Sequence, residues 1–253
     1  MSDKRSSSTV QRAFELLDLV AAAGSDGLTL SDLARVGDMS VSTCHRYVTT
    51  LLDLHALDKN ASGRLFPGVR LVTLSQAWLE RNTLRNLARE ELEQLFALAG
   101  ETVHLGMHAD QGVVYIDKID SEQAVRLASR IGAVVPHYCT AMGKAILAAL
   151  APEQRAPFLV GVVKRTPTTL TGLALDEELQ AIAGRRWAFD EQEHEEGVRC
   201  VAAAIVSRSG TLLGAISIAG PAERFSRQTC NELAPLVLAA ADRIGQQMPD
   251  PSP

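Results

Sequence analysis

The sequence lacks the cysteine pattern of a disulfide framework or a zinc ribbon. Its 253 residues include four cysteines, which lie far apart and form no Cys-x-x-Cys pair: Cys44, Cys139, Cys200 and Cys230. Reduced thiols fit a cytoplasmic setting. No apolar run approaches the ~20 residues that span a bilayer, and the N-terminal MSDKRSSSTV has no apolar core like that of a secretory signal. We therefore expect a cytoplasmic protein with one large or two modest domains.

An excess of positive charge is also missing. The formal net charge is −5, and residues 1–70 are neutral, with two Lys and six Arg against seven Asp and one Glu. This balance argues against a protein coated with nucleic acid over its whole surface. If the chain binds DNA, it must do so with locally placed cations.

The stretch from Leu28 to Leu57 has the pattern of a helix-turn-helix. A first helix from Thr9 ends at Gly24. Thr29 or Ser31 can cap a second helix, Leu30 to Val36, which Gly37-Asp38 breaks. A third helix is predicted from Val41 to about Leu54, with Ser40 as its cap.

The third helix carries short polar side chains on one face and Val41, Cys44, Val48, Leu51 and Leu52 on the other. No acidic residue lies between Asp38 and Asp53. Short hydroxyl side chains let a helix sit close to the groove floor, and an arginine reaches a phosphate or a guanine edge. An ordinary amphipathic helix with a polar exposed face is the alternative interpretation of this helix alone.

A hairpin follows, because Leu57 to Phe66 contains two short apolar runs around an Asn/Ser/Gly turn. A hairpin directly after such a helix is the wing of a winged helix. The predicted DNA-binding residues are Ser40, Ser42, Thr43, His45, Arg46 and Thr49 of the helix, and Lys59 and Arg64, which flank the wing's tip.

Beyond the hairpin, a helical stretch is free of Pro and Gly. We interpret it as a linker helix at 70–82 and a first helix of a second domain, which ends at Gly100. An exposed apolar stripe with Trp78 suits a dimer contact or packing on its own domain. The remaining pattern predicts an α+β domain. Its predicted strands are Thr102–His108, Val113–Lys118, Val125–Ser129, Val201–Ser207 and Leu212–Ala219, and its helices are Cys139–Leu150, one from Asp176, and Arg227–Gln247.

Several motifs resemble the IclR family of bacterial transcriptional regulators in the family's order. In the N-terminal part these are VQRAFELLDLV, TLSDLARVGDMS and VSTCHRYVTTLLDLHAL; later come TAMGKAILA, RTPTTLT, DEQEHEEGVRCVAA and SIAGP. The resemblance implies a winged helix-turn-helix at 9–69, the linker helix at 70–82 and a GAF-like effector-binding domain with an antiparallel sheet at 83–247. The polar residues 1–8 and the Pro-rich tail at 248–253 are predicted from their composition to be disordered.

The resemblance also implies a function: a ligand-responsive repressor of a catabolic or metabolic operon, without a catalytic residue, cofactor or membrane partner. Its partners would be operator DNA, a small organic acid and further copies of itself, as a homodimer or homotetramer. Met142 and Ala219 indicate a pocket unlike that for a two-carbon acid. Matched to the motifs, the pocket would draw on Leu127, Val135, Ala141, Met142, Gly143, Asp190, Val198, Cys200 and Ser217.

Two other functions are weighed against this one. Cys200, His194 and Asp190 invite a thiol-nucleophile hypothesis, but no nucleophile motif surrounds Cys200. His104 and His108 invite a metal-sensor hypothesis. On a helix their spacing suits one ion, whereas on a strand they lie about 13 Å apart at ~3.3 Å per residue. The flanking Val and Leu residues favour the strand.

Overall fold

The computed structural model describes residues 8–249 and divides the chain into two compact units, one ending at Arg81 and the other beginning at Asn82. Of the predicted disordered termini, residues 1–7 and 250–253 lie outside the described residues. Ser8 begins the first helix, which the sequence placed one residue later. Within the described residues, no helix is long and apolar enough to cross a membrane.

The first unit contains three helices, a hairpin and a fourth helix. Side-chain caps begin two of these helices as predicted: the Thr29 hydroxyl accepts the N–H of Asp32 (3.1 Å), and the Ser40 hydroxyl accepts that of Thr43 (3.2 Å). Bounds are α1 Ser8–Ala22, α2 Leu30–Val36, α3 Val41–Asp53, β1 Leu57–Lys59, β2 Leu65–Pro67 and α4 Val69–Arg81.

The core of the first unit is formed by Leu16 and Val20 of α1, Leu33 of α2, and the buried face of α3. Cys44, Val48 and Leu51 lie on that face, as predicted. Val41 was wrongly assigned to it: this side chain is 51% exposed, because it begins α3 where the chain has not yet reached the core. The core therefore holds α3 by one face and leaves the opposite face in solvent.

The predicted hairpin is confirmed. β1 and β2 pair antiparallel, with Leu57 opposite Pro67 and Lys59 opposite Leu65. The Asn60 carboxamide oxygen accepts the N–H groups of Ser62 (3.1 Å) and Arg64 (2.9 Å), which closes the turn between the strands. This side-chain bonding to the backbone two residues on is why asparagine suits such turns.

The second unit is a six-stranded antiparallel sheet in the order β5-β4-β3-β8-β7-β6, packed by helices. Successive side chains of β7 are buried, Cys200 and Ala202 among them together with Val201 and Ala203, so both faces of the sheet are covered. Bounds are α5 Thr83–Ala99, β3 Thr102–Ala109, β4 Gly112–Ile119, β5 Val134–Val135, α6 Ala141–Ala149, α7 Pro152–Arg155, α8 Leu173–Arg185, β6 Trp187–Glu191, β7 Val198–Val206, β8 Leu212–Pro221 and α9 Arg227–Gln247.

The structure corrects the strand prediction at 125–129. This segment has no regular structure, and the sheet ends instead at β5. Its Ser129 is bonded by side chains rather than by a strand ladder. The edge strand β6 was not predicted, and the helix predicted from Cys139 begins at Ala141, after its cap Thr140. The helix predicted from Asp176 begins at Leu173, and the strand predicted from Val201 begins at Val198.

Candidate functional site

The solvent face of α3 presents the predicted helix residues together. Ser42, Thr43, His45, Arg46 and Thr49 are all exposed, on the side opposite the buried face. The Ser40 hydroxyl lies 3.1 Å from that of Ser42 and 2.9 Å from that of Thr43, so the helix begins with three clustered hydroxyl groups. A row of short polar side chains with one arginine suits close approach to a groove.

The arginine and lysine side chains of the first unit differ in their bonding partners. Arg12 and Arg35 form ion pairs with carboxylates of their own helices. Arg64 donates to the carbonyl oxygens of Asp26 and Gly27, each at 3.0 Å, and so ties the wing to the turn after α1. Among residues 8–249, Arg46 and Lys59 form no ion pair. Arg64 forms no ion pair either, so α3 and the wing carry three positive charges that no carboxylate of the described residues compensates, and that of Arg64 is held against two carbonyl groups.

The second unit contains a cavity of about 530 Å³ over one face of the sheet. Met142 of α6 and Val113 of β4 lie over Gly106 of β3, where a Cβ would come to 2.5 Å from a Val113 methyl carbon and 3.0 Å from that of Met142. Glycine at this position therefore makes room for both side chains. Seven of the nine predicted pocket residues line the cavity: Leu127, Val135, Met142, Asp190, Val198, Cys200 and Ser217.

Ala141 and Gly143 do not line the cavity. Ala141 is fully buried in the core beneath α6. A Cβ at Gly143 would meet the carbonyl oxygen of His137 at 2.2 Å, so packing requires glycine there. Its N–H also donates to the cap hydroxyl of Thr140 (3.0 Å). These two small residues let the helix approach its neighbours closely.

Sequence reasoning missed several lining residues, chiefly His104, Tyr115 and the segment around Ser129. Strand register brings the first of these into the site. His104 lies directly opposite Ser217, and Asp190 lies directly opposite Cys200, so each pair shares a face. The sequence did contain a signal for His104: successive side chains of a strand at 102–109 point to opposite faces, so His104 and Gly106 share one face.

Models of two protein families match the chain. The IclR helix-turn-helix domain matches residues 9–60, and the C-terminal domain of the bacterial transcriptional regulator IclR matches residues 76–246. The second match alone covers more than half of the chain. The chain belongs to the IclR family.

Known relatives align with this chain over nearly its whole length. The chain is 32% identical to the transcriptional regulator KdgR of Escherichia coli K12, over 95% of this chain and 92% of that protein. It is 28% identical to the repressor IclR of the same organism, over 93% and 88%. The Thermotoga maritima IclR crystal structure is 32% identical, with a TM-score of 0.69, and covers 94% of this chain and 97% of its own.

Another solved structure shares the fold: an IclR homologue from Microbacterium hydrocarbonoxydans complexed with 4-hydroxybenzoate. It is 23% identical, with a TM-score of 0.77, over 94% of this chain and 98% of its own. Together these matches assign the function at the family level. The protein is a DNA-binding transcriptional regulator with a C-terminal effector-binding domain, and the IclR family is one of regulators rather than enzymes.

Asp190 is the buried acid of this IclR-family cavity. Its carboxylate accepts the backbone N–H groups of Glu193 (2.7 Å) and His194 (3.4 Å). Burial is the largest influence and raises the pKa of Asp190 from 3.8 to about 7, despite these two N–H groups and the charge of Lys144, which act the other way. Near neutral pH this carboxyl group is therefore partly protonated and both donates and accepts hydrogen bonds.

Asp190→Asn is expected to change how stability depends on pH. Because the folded pKa lies above the unfolded one, Asp190 contributes stability at low pH that is lost as the pH rises towards 7. Between about pH 5 and about pH 8 the wild type should lose roughly 2–3 kcal/mol that the variant keeps. Urea denaturation followed by Trp187 fluorescence, in a Trp78→Phe background, measures this difference. The exposed Asp58→Asn serves as control, and parallel curves for wild type and Asp190→Asn would contradict the prediction.

Cys200 does not have the surroundings of a nucleophile. Burial is the main influence that raises its pKa, and the charge of Asp190 adds to it, so the thiol stays protonated. His194 directs its Nδ1 at Cys139, 3.8 Å from that sulfur. The Cys200 thiol donates weakly to the carbonyl oxygen of Val201 (3.9 Å), so the geometry supports a protonated thiol in the cavity wall and not a thiolate.

The two histidines of β3 contact different groups. His104 Nε2 lies 2.7 Å from the Ser129 hydroxyl, and His108 Nδ1 lies 2.9 Å from Nε2 of His137. Burial lowers the pKa of all three imidazoles, that of His104 to about 3 and that of His137 to about 4. In the part of the chain that the structure describes, no group of three His, Cys, Asp or Glu side chains is placed to hold a metal ion.

Proposed function

We propose that this regulator binds its operator through the solvent face of α3 and the wing. The observation that carries the proposal is that Arg46 and Lys59, which form no ion pair within residues 8–249, lie on an exposed surface whose helix has no acid before Asp53. Phosphates attract such cations, and Arg46 reaches a base edge from the middle of the helix. Ser40, Ser42, Thr43, His45 and Thr49 contribute short-range contacts, and Arg64 supports the wing.

The cavity of the second unit is the proposed effector site, and its occupant is a small organic acid larger than two carbons. Its volume, about 530 Å³, falls in the range of small-molecule pockets. Arg126 and Arg130 line it and offer guanidinium groups to a carboxylate. Ser217 and Tyr115 offer hydroxyl groups, and Asp190 accepts a hydrogen bond from an effector hydroxyl when ionised. Relatives named as repressors support repression as the output.

A homodimer is the proposed DNA-binding form. α4 has no buried residue, and its Val72, Leu74 and Trp78 are about half exposed or more. Phe14 of α1 is 62% exposed and lines, with Leu74, an apolar groove of about 490 Å³ within the first unit. Apolar surface of this kind marks a contact with another chain. A dimer places two α3 helices one turn of DNA apart, about 34 Å, on a palindromic operator.

A thermal-shift screen with small carboxylic, sugar and aromatic acids tests the effector site. A ligand at 100 times its Kd stabilises the folded state by about 2.7 kcal/mol, which raises the Tm by several degrees. Val198→Trp fills the cavity from β7, so the same acid should no longer raise the Tm of that variant. Val163→Trp, whose side chain lies outside the cavity lining, is the matched control. An acid that stabilises all three proteins equally binds elsewhere and would refute the assignment.

A further inference from the structure

A strap closes one side of the cavity. It comprises residues 122–131, between β4 and β5, and has no regular structure. Its residues 125–130 all line the cavity, yet Val125, Arg126, Ala128 and Arg130 are exposed to solvent. Because the same residues contact both the cavity and solvent, the strap is a single layer of chain between the two. The strap therefore separates the cavity from bulk water.

Backbone and side-chain bonds anchor both ends of the strap. The Ser121 hydroxyl donates to the carbonyl oxygen of Gly100 (2.8 Å), and the N–H of Gly132 donates to that of Tyr115 (2.8 Å). Between these ends, side chains of the rest of the unit reach the strap at Val125, whose carbonyl oxygen accepts from Arg224 (2.8 Å), and at Ser129. The contacts of Ser129 decide whether the strap lies against the sheet.

Ser129 bonds to two neighbouring strands at once. Lys118 of β4 donates from Nζ to the Ser129 carbonyl oxygen (2.6 Å) and to its hydroxyl oxygen (2.8 Å). The same hydroxyl lies 2.7 Å from Nε2 of His104 on β3. An ammonium group only donates, so the Ser129 hydroxyl accepts from Lys118, and its single hydrogen is available to Nε2 of His104. Both hydrogen-bonding partners of this hydroxyl belong to the protein.

The tautomer of His104 follows from this arrangement. When Nε2 accepts the hydroxyl hydrogen of Ser129, the proton of the neutral ring sits on Nδ1. Burial keeps the ring neutral, since it lowers the pKa of His104 to about 3, and the charge of Lys118 acts in the same direction. The ring is stacked on Tyr115, with centroids 4.5 Å apart, and is 2% exposed. Nδ1 makes no hydrogen bond within residues 8–249, so its N–H is an unused donor on a side chain that lines the cavity.

We propose that Ser129 is a positioning residue of the effector site, which holds the strap closed over the cavity and fixes His104 as an Nδ1–H donor for an acceptor atom of the effector. The proposal rests on the cavity being the effector site. Ligand entry beneath the strap then requires that the three hydrogen bonds at Ser129 break. A bound effector whose acceptor atom meets His104 stabilises the same closed arrangement from inside.

Cys200 provides a reporter that needs no effector. Its thiol lines the cavity and is 9% exposed, so a small reagent such as methyl methanethiosulfonate reaches it through the cavity. Ser129→Ala removes two of the three hydrogen bonds at Ser129, because both involve its hydroxyl group. Since each lost hydrogen bond is worth about fivefold in the opening equilibrium, labelling of Cys200 should become about thirtyfold faster. Ser129→Thr, which keeps the hydroxyl, should restore slow labelling, and Ser209→Ala, in an exposed turn, should leave the rate unchanged.

Peptide mass spectrometry follows each thiol separately, and the buried Cys44 and Cys230 serve as internal references. A Cys200 rate that is the same in wild type and Ser129→Ala would overturn the proposal. So would equal acceleration of all three thiols, because that reports general loosening of the fold. In ¹⁵N-histidine-labelled wild type, NMR should find His104 protonated at Nδ1, and protonation at Nε2 would also overturn it. Neither measurement depends on identifying the effector, so failure here leaves the thermal-shift test intact.

Discussion

Lys144→Met is expected to lower the free energy of unfolding of the second unit by about 3–5 kcal/mol. Lys144 is 1% exposed on α6, and its ammonium group forms an ion pair with Glu193, which is 3% exposed. Methionine keeps most of the volume but leaves the Glu193 carboxylate buried without its counter-charge. Removing one member of a buried pair costs far more than the pair itself contributes. Urea denaturation followed by Trp187 fluorescence, again with Trp78→Phe, measures the loss.

Two further variants separate charge from packing. Lys144→Met combined with Glu193→Gln should recover much of the stability, because no uncompensated charge remains. Arg186→Met is the matched surface control: its ion pair with Asp242 is half exposed, and such pairs are worth at most about 1 kcal/mol. If Lys144→Met costs no more than Arg186→Met, the buried pair does not stabilise this unit as argued.

The pH dependence of the Lys144→Met variant follows from Glu193. Burial raises the pKa of Glu193 above 4.5, although Lys144 lowers it. Loss of Lys144 raises this pKa further, so the stability that the group retains at low pH is lost as the pH rises through the new folded value. The destabilisation should therefore be greater at alkaline than at acidic pH.

The same ion pair supports the cavity of the second unit. Glu193 donates its backbone N–H to Asp190, the buried acid of the cavity. The Thr169 hydroxyl donates to the Glu193 carbonyl oxygen at 2.6 Å, and that of Thr166 donates to the Gln192 carbonyl oxygen at 2.7 Å. The turn that positions Asp190 is thus held by Lys144 from α6 and by the Thr-rich loop at 166–169. Weakening it should disturb the cavity before it disturbs the sheet.

Local signals explain what was predictable from the sequence. α3 was bounded to within one residue because Ser40 caps it and its apolar residues recur at helical spacing. The hairpin was predictable because Asn60 closes its turn with its own side chain. α9 was predicted with both ends correct, since Ser226 caps a long amphipathic run. In each case the determining atoms lie within a few residues of one another along the chain.

Non-local contacts explain what was not predictable. His104 meets Ser217 only through strand register, more than a hundred residues apart in sequence. The strap resembles a strand because apolar and polar residues alternate at 125–127, but its Ser129 is bonded to Lys118 and His104 instead of a strand partner. Lysine is rarely buried, so nothing local indicated that Lys144 would lie in the interior beside Glu193.

Arg46→Ala is expected to weaken operator binding more than any other single change on the surface of the first unit. An arginine contact to a base edge or phosphate is worth about 1–3 kcal/mol, and a dimer carries two copies, so the loss should be about 2–6 kcal/mol. Fluorescence anisotropy measures it, with a duplex that the wild-type protein selects from a random pool. Arg35→Ala removes another exposed arginine, one that is already paired with Asp32, and it should change affinity little.

A homodimer, the proposed DNA-binding form, makes the Arg46 test sharper. Heterodimers with one Arg46→Ala subunit should lose half of the free energy that the homodimeric variant loses, as expected of two half-sites that are read independently. Lys59→Ala should instead weaken binding to all sequences and reduce the salt dependence, as loss of a phosphate contact does. Unchanged affinity of a folded Arg46→Ala protein would place the operator contact away from α3. The first 70 residues carry no net charge, so a single copy of the chain should bind DNA weakly. High affinity for the operator then requires two DNA-binding units whose unpaired cations face the same DNA.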